Sequence, residues 1–125
     1  MKLTMKVIEE AFADSIEFLY LDGWLPASDL DKIMFTPPKL KENDDLRSWI
    51  VLNKSYETTG FEESIQYVID HINSNGPFDG VLGFSLGANT LMGILNRSKY
   101  ERKVERDLLY NPLFAIMLSG TNWLD

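Results

Sequence analysis

Three short apolar runs, alternating with helical patterns, predict an α/β protein built on a parallel sheet. The runs are residues 16–21 (IEFLYL), 78–84 (FDGVLGF) and 113–118 (LFAIML). Unbroken apolar strands are covered on both faces, and strands separated by helices pair in parallel. At the end of the middle run the sequence continues Gly83-Phe84-Ser85-Leu86-Gly87, a Gly-x-Ser-x-Gly pattern at a strand-to-helix junction.

The elements follow in order. Over 3–14, Leu3, Val7, Ile8, Ala11 and Phe12 recur at helical spacing between Lys and Glu, which predicts an amphipathic helix. Residues 16–21 then read as a buried strand that stops at Asp22-Gly23, a turn signal. Residues 22–60 form a long connection with three prolines and two short possible helices, near 28–33 and 43–50. Such a connection in a small domain is more often functional than idle. Its aromatic residues Trp24, Phe35 and Trp49 either pin it to the core or line a pocket.

Thr58 or Thr59 is a candidate helix cap, with Glu62 or Glu63 completing a capping box. Ile65, Val68, Ile69 and Ile72 then form a core-facing stripe, ended by Asn75-Gly76-Pro77. After the strand at 78–84 a helix is expected over 86–96, then a charged surface segment over 97–107. A third buried strand over 113–118 closes at Ser119-Gly120. All 125 residues fit one domain, in which 22–60 is an internal loop.

Composition narrows function. A net charge of −7 with no basic cluster argues against nucleic acid and against anionic membrane surfaces as partners. Cysteine is absent, which removes disulfides, thiolate nucleophiles and thiolate metal sites. The acidic N-terminal stretch does not read as a signal peptide, and no apolar run reaches the length of a membrane span. A cytoplasmic location is the expectation. No cofactor or metal is implied: the glycines at 83, 87 and 93 fit neither a Walker nor a dinucleotide loop, and no His/Asp/Glu cluster has ligand spacing. Asp44-Asp45 and Glu62-Glu63 read as solvated faces, since adjacent helical residues do not converge.

The serine pattern matters because of its position. In a nucleophile elbow, a tight strand-to-helix turn holds the serine in a strained conformation, and small residues two before and two after it let strand and helix approach. Gly83 and Gly87 are the elbow glycines, Ser85 is the candidate nucleophile, and the backbone N–H of Leu86 is a candidate oxyanion donor at the helix N-terminus. The bland alternative is an ordinary tight turn in which Ser85 is only an N-cap.

Beyond the serine, the segments EFLYLD (17–22), RSW (47–49), GFEESI (60–65) and NGPFDGVLGFSLGA (75–88) resemble, in order, the fungal-type serine hydrolase (FSH) family, which includes the ovarian-cancer-associated serine hydrolases. The resemblance extends over about residues 3–120. It implies an α/β-hydrolase fold with flanking helices and hydrolysis of acyl esters or thioesters. One departure is Leu86, where the family usually carries Gln; a backbone oxyanion contact survives that change.

An activated serine needs a base and an acid that orients it. His71 is the sole histidine, and it falls on the helix before the nucleophile strand. The resemblance implies that the family's first strand would precede residue 1, and that its acid- and histidine-bearing strands would follow Asp125. The expectation is therefore a domain truncated at both ends, inactive or weakly active alone. Its missing first strand would leave open sheet edges between 17–21 and 78–84. The alternative is a non-catalytic remnant serving as a binding or dimerisation module, which takes a strand-donating partner or a second copy through those edges.

Overall fold

The computed structural model describes residues 2–29, 45–55, 57–100, 108 and 112–120. The elements are α1 (Lys2–Ala11), β1 (Leu25–Pro26), β2 (Arg47–Ser48), β3 (Val51–Leu52), β4 (Thr58–Thr59), α2 (Phe61–Asn75), β5 (Gly80–Phe84), α3 (Leu86–Tyr100) and β6 (Phe114–Leu118). β5 and β6 pair in parallel, with Gly80 opposite Phe114 and Phe84 opposite Leu118. β1 pairs with β2 and β3 with β4, both antiparallel.

The core lies between α2 and α3. The stripe Ile65, Val68, Ile69 and Ile72 is buried and meets Leu91 and Ile94 of α3, with Val81 of β5 and Phe78 packed against them. The i, i+3, i+4, i+7 spacing puts all four isoleucine and valine side chains on one face of α2. The helices touch at Gly93, where a Cβ would stand 2.7 Å from Phe61 Cζ and 2.8 Å from Ile65 Cδ1. α3 in turn lies across both strands. Strand, helix and strand thus form a β5–α3–β6 unit with the C-terminal ends of both strands at the elbow.

Several expectations need correction. Residues 16–21 form no strand: they join no ladder among the described residues, and Leu19 is 64% and Ile16 47% exposed. An apolar run becomes a strand only when a neighbour accepts its backbone hydrogen bonds, and β5 pairs only with β6 among the described residues. Leu21 at the end of the segment packs against the core cluster, and Tyr20 lies beside Glu9 of α1. Desolvation and then the neighbouring Glu9 carboxylate push the Tyr20 hydroxyl above its ordinary pKa.

The threonine cap does not form either. Thr58 and Thr59 are in β4, opposite Leu52 and Val51, and the chain enters α2 through Gly60 at φ 86°. β-branched threonines fit a ladder, and a left-handed glycine makes the turn that a capping threonine cannot. The helix expected near 43–50 is absent over 45–50, where Arg47–Ser48 forms β2. Most of the 28–33 expectation, all of 101–107 and Phe35 lie outside the described residues. The helix after the elbow runs to Tyr100, longer than expected.

β6 is a strand as expected, yet exposed along most of its length, with Phe114 at 55% and Ile116 at 43%. Its register puts Phe114, Ile116 and Leu118 on the same sheet face as Leu82 and Phe84, opposite α3. No described helix packs on that face closely enough to bury it.

Candidate active site

The strand-to-helix turn at Ser85 is built from β5 inward. Gly83 is buried, and a Cβ there would stand 2.7 Å from Ala88 Cα, Ala88 N and Gly87 O. The contacts are with backbone, so strand and helix can approach this closely only if residue 83 is glycine. Gly87 is different: outside α3 itself, and among the described residues, a Cβ there would meet only the Trp49 indole, at 3.7 and 4.0 Å, which is ordinary contact distance. The steric demand for tiny residues on both sides of the serine therefore holds at Gly83 and not at Gly87.

Ser85 has φ 53°, the left-handed region that serine seldom adopts. Its carbonyl accepts the first α3 bond from Asn89 N at 3.2 Å, so it occupies the N-cap position. An N-cap serine ordinarily has extended backbone and bonds its hydroxyl to an N–H of the first turn. Ser85 does neither. Its residue is exposed, and its Oγ makes no hydrogen bond among the described residues. The bland N-cap alternative lacks both of its structural marks.

The turn is clamped from β6. Ser85 N donates to Leu118 O at 2.9 Å. The next residue, Ser119, is the second non-glycine with positive φ, at 54°. Gly120 then lies against α3, where a Cβ would stand 3.0 Å from Ala88 Cβ and 3.2 Å from Asn89 Oδ1. Two adjacent left-handed serines thus mark the C-terminal ends of two paired parallel strands, where open α/β sheets bind ligands. Leu86, the first residue of α3, has a backbone N–H with no intrahelical partner, as the first turn of any helix does.

His71 is at the opposite end of the sheet. Its ring stacks on Phe78 at 6.0 Å and 7°, and its Nδ1 accepts from Asn75 Nδ2 at 3.3 Å. From Phe78 to Ser85 the chain advances about 20 Å at strand rise, so His71 does not reach the serine. Asp45, Glu62 and Glu63 are exposed, and among the described residues no cluster of three or more His, Asp or Glu could hold a metal. No described helix is long and apolar enough to cross a membrane.

The connecting loop also reaches the elbow. β1–β2 pairing brings Trp49 to α2, where the Ser64 hydroxyl donates to the Trp49 carbonyl and the indole lies 6.3 Å from the Tyr67 ring. The indole edge then stands over Gly87. Sequence reading left Trp49 between core pin and pocket wall. It missed Ser119 because Ser119-Gly120 looks like any strand-ending turn.

Residues 2–124 match the family described as Serine hydrolase (FSH1). The chain belongs to the FSH1 serine hydrolase family. FSH1 membership implies an α/β-hydrolase fold, and the β5–α3–β6 unit is the part that holds the Ser85 turn. Among relatives, the chain is 45% identical over 78 residues to Esterase C25G4.2 of Caenorhabditis elegans, covering 62% of this chain and 34% of the relative. It is 39% identical over 74 residues to Esterase OVCA2 of Danio rerio, covering 59% and 31%. It is also 27% identical over 132 residues to Uncharacterized hydrolase C22A12.06c of Schizosaccharomyces pombe, covering 93% and 29%. The chain therefore spans about a third of the length of these FSH1-like relatives. No solved structure matches.

Proposed function

We propose that Ser85 is the nucleophile of a serine hydrolase acting on acyl esters or thioesters. The observation that carries this reading is the Ser85 conformation: left-handed, at a strand-to-helix turn that only Gly83 permits, on an exposed residue whose Oγ makes no hydrogen bond among the described residues. Two of the relatives are named esterases. In the reaction, Ser85 Oγ bonds to the acyl carbon while the developing oxyanion accepts from Leu86 N–H. The serine proton passes to a base, the alcohol or thiol leaves, and water then releases the acid.

The base and the acid that orients it would come from sequence beyond these 125 residues, since His71 is remote. The chain alone is then inactive or weakly active. The base also activates the deacylating water, so its absence stalls the second half-reaction more visibly than the first. Incubation with a p-nitrophenyl acyl ester, followed by intact-mass measurement, should show a persistent single acyl adduct that is missing in Ser85→Ala. An adduct of equal yield in Ser85→Ala would remove Ser85 from the nucleophile role.

The second reading, a binding or dimerisation module, draws on the apolar face of Leu82, Phe84, Phe114, Ile116 and Leu118 and on the β5 edge that no described strand pairs with. Both would suit a strand-donating partner or a second copy.

A further inference from the structure

We infer that Trp49 is a specificity-determining residue of the Ser85 site, whose indole N–H and edge contact the acyl substrate beside Gly87; this rests on the nucleophile reading above. The atoms nearest a Cβ position on Gly87 are Trp49 Nε1, at 3.7 Å, and Cε2, at 4.0 Å. The indole therefore turns its polar edge toward the residue two after the nucleophile. A tryptophan serving only to pin a loop buries its apolar edge and gives its N–H to a protein acceptor. Trp49 is part-buried, and among the described residues no acceptor takes its N–H.

The indole is held there by several contacts. Arg47 Nη2 donates to Trp24 O at 2.6 Å and its Nε to Gly23 O at 3.4 Å, which fixes β2 against the preceding loop. Gly23 itself must be glycine, because a Cβ there would lie 2.3 Å from Ser48 O. Ser64, fully buried on α2, donates its hydroxyl to the Trp49 carbonyl. Tyr67 flanks the indole at 6.3 Å, and Trp24 in turn lies 6.5 Å from the Tyr67 ring. The backbone contacts fix where Trp49 leaves the loop, and Tyr67 lies beside its ring. A side chain so held is a preorganised wall, which adds discrimination at little ordering cost.

Gly87 gives this arrangement its meaning. Its absent side chain is not required by strand–helix packing, since among the described residues no backbone atom outside α3 itself lies within 4 Å of the Cβ position. The space it leaves is bounded by the Trp49 polar edge on one side and the first turn of α3 on the other. An acyl or leaving-group oxygen placed there accepts from the indole N–H, and the adjoining alkyl chain lies along the ring. Alanine at position 87 fits the empty protein and fills that space.

The test uses the three tryptophans of the chain, which give three indole N–H signals in a 15N-correlated NMR spectrum. The Trp49 signal is the one lost in Trp49→Phe, a variant that keeps a ring against Tyr67. The probe is 2-octanone, an ester isostere that cannot be hydrolysed. The Trp49 signal should move saturably, Gly87→Ala should weaken binding about tenfold, and Trp49→Phe about fivefold, with thermal midpoints unchanged. A Trp49 signal that stays still, a shift that never saturates, or Gly87→Ala binding like the native chain would overturn the inference. The acyl-adduct experiment reads a different atom, so failure of the nucleophile reading and failure of this one are separable.

Discussion

Gly83 and Gly87 look equivalent in the pattern Gly-x-Ser-x-Gly, yet their surroundings differ. The Cβ position of Gly83 runs into backbone at 2.7 Å, whereas that of Gly87 touches only an indole edge. Gly83→Ala should accordingly cost about 1–3 kcal/mol through overpacking, measured by denaturant unfolding, and should displace Ser85. Sequence could supply the pattern and not this asymmetry, because the deciding neighbour, Trp49, is 38 residues from Gly87 along the chain. Tyr20 offers a second test at this scale. The folded chain holds its phenolic proton above the ordinary 10.0, chiefly through desolvation and then through Glu9. The unfolded chain releases that proton first, so this contribution is complete below about pH 10 and is lost as pH rises through the folded pKa. Tyr20→Phe should flatten the alkaline end of the stability profile, and an unchanged profile would dissociate Tyr20 from it.

Among the elements, α2 was the most legible. Its stripe of Ile65, Val68, Ile69 and Ile72 is a local pattern, and the structure buries all four. Ile69 is 2% exposed at the centre of the α2–α3 contact, so Ile69→Ala should cost about 2–5 kcal/mol in denaturant unfolding. A smaller loss would mean that the two helices do not form the core. Strand character was less legible, for a physical reason. IEFLYL and LFAIML look alike in composition, but only the second finds a partner, β5, and only it becomes a strand. The Thr58–Thr59 misreading has the same origin: a cap is a local device, whereas pairing with Val51–Leu52 is set by the chain's path.

For the whole molecule, the parallel β5–β6 pair leaves an apolar face and the β5 edge uncovered among the described residues. Exposed surface of that kind favours association. Sedimentation at increasing concentration should show rising average mass if a second copy covers it, and an Ile116→Lys substitution should suppress the rise. A mass independent of concentration would dismiss self-association. The family was legible in sequence because long, ordered motifs carried it, and the profile match over residues 2–124 agrees. Of the candidate site, the sequence reached the one turn that holds Gly83, Ser85 and Leu86. It did not reach the parts set by distant segments, Trp49 and the Leu118–Gly120 clamp.

The proposal that carries most weight is Ser85 as a nucleophile whose base and orienting acid are not among the residues described. Labelling of the chain by a fluorophosphonate, mapped by peptide mass, tests it most directly, with imidazole added as an external base. The account predicts slow labelling confined to Ser85, faster with imidazole and absent in Ser85→Ala. Labelling spread over other residues, or none in a demonstrably folded chain even with imidazole, would contradict it.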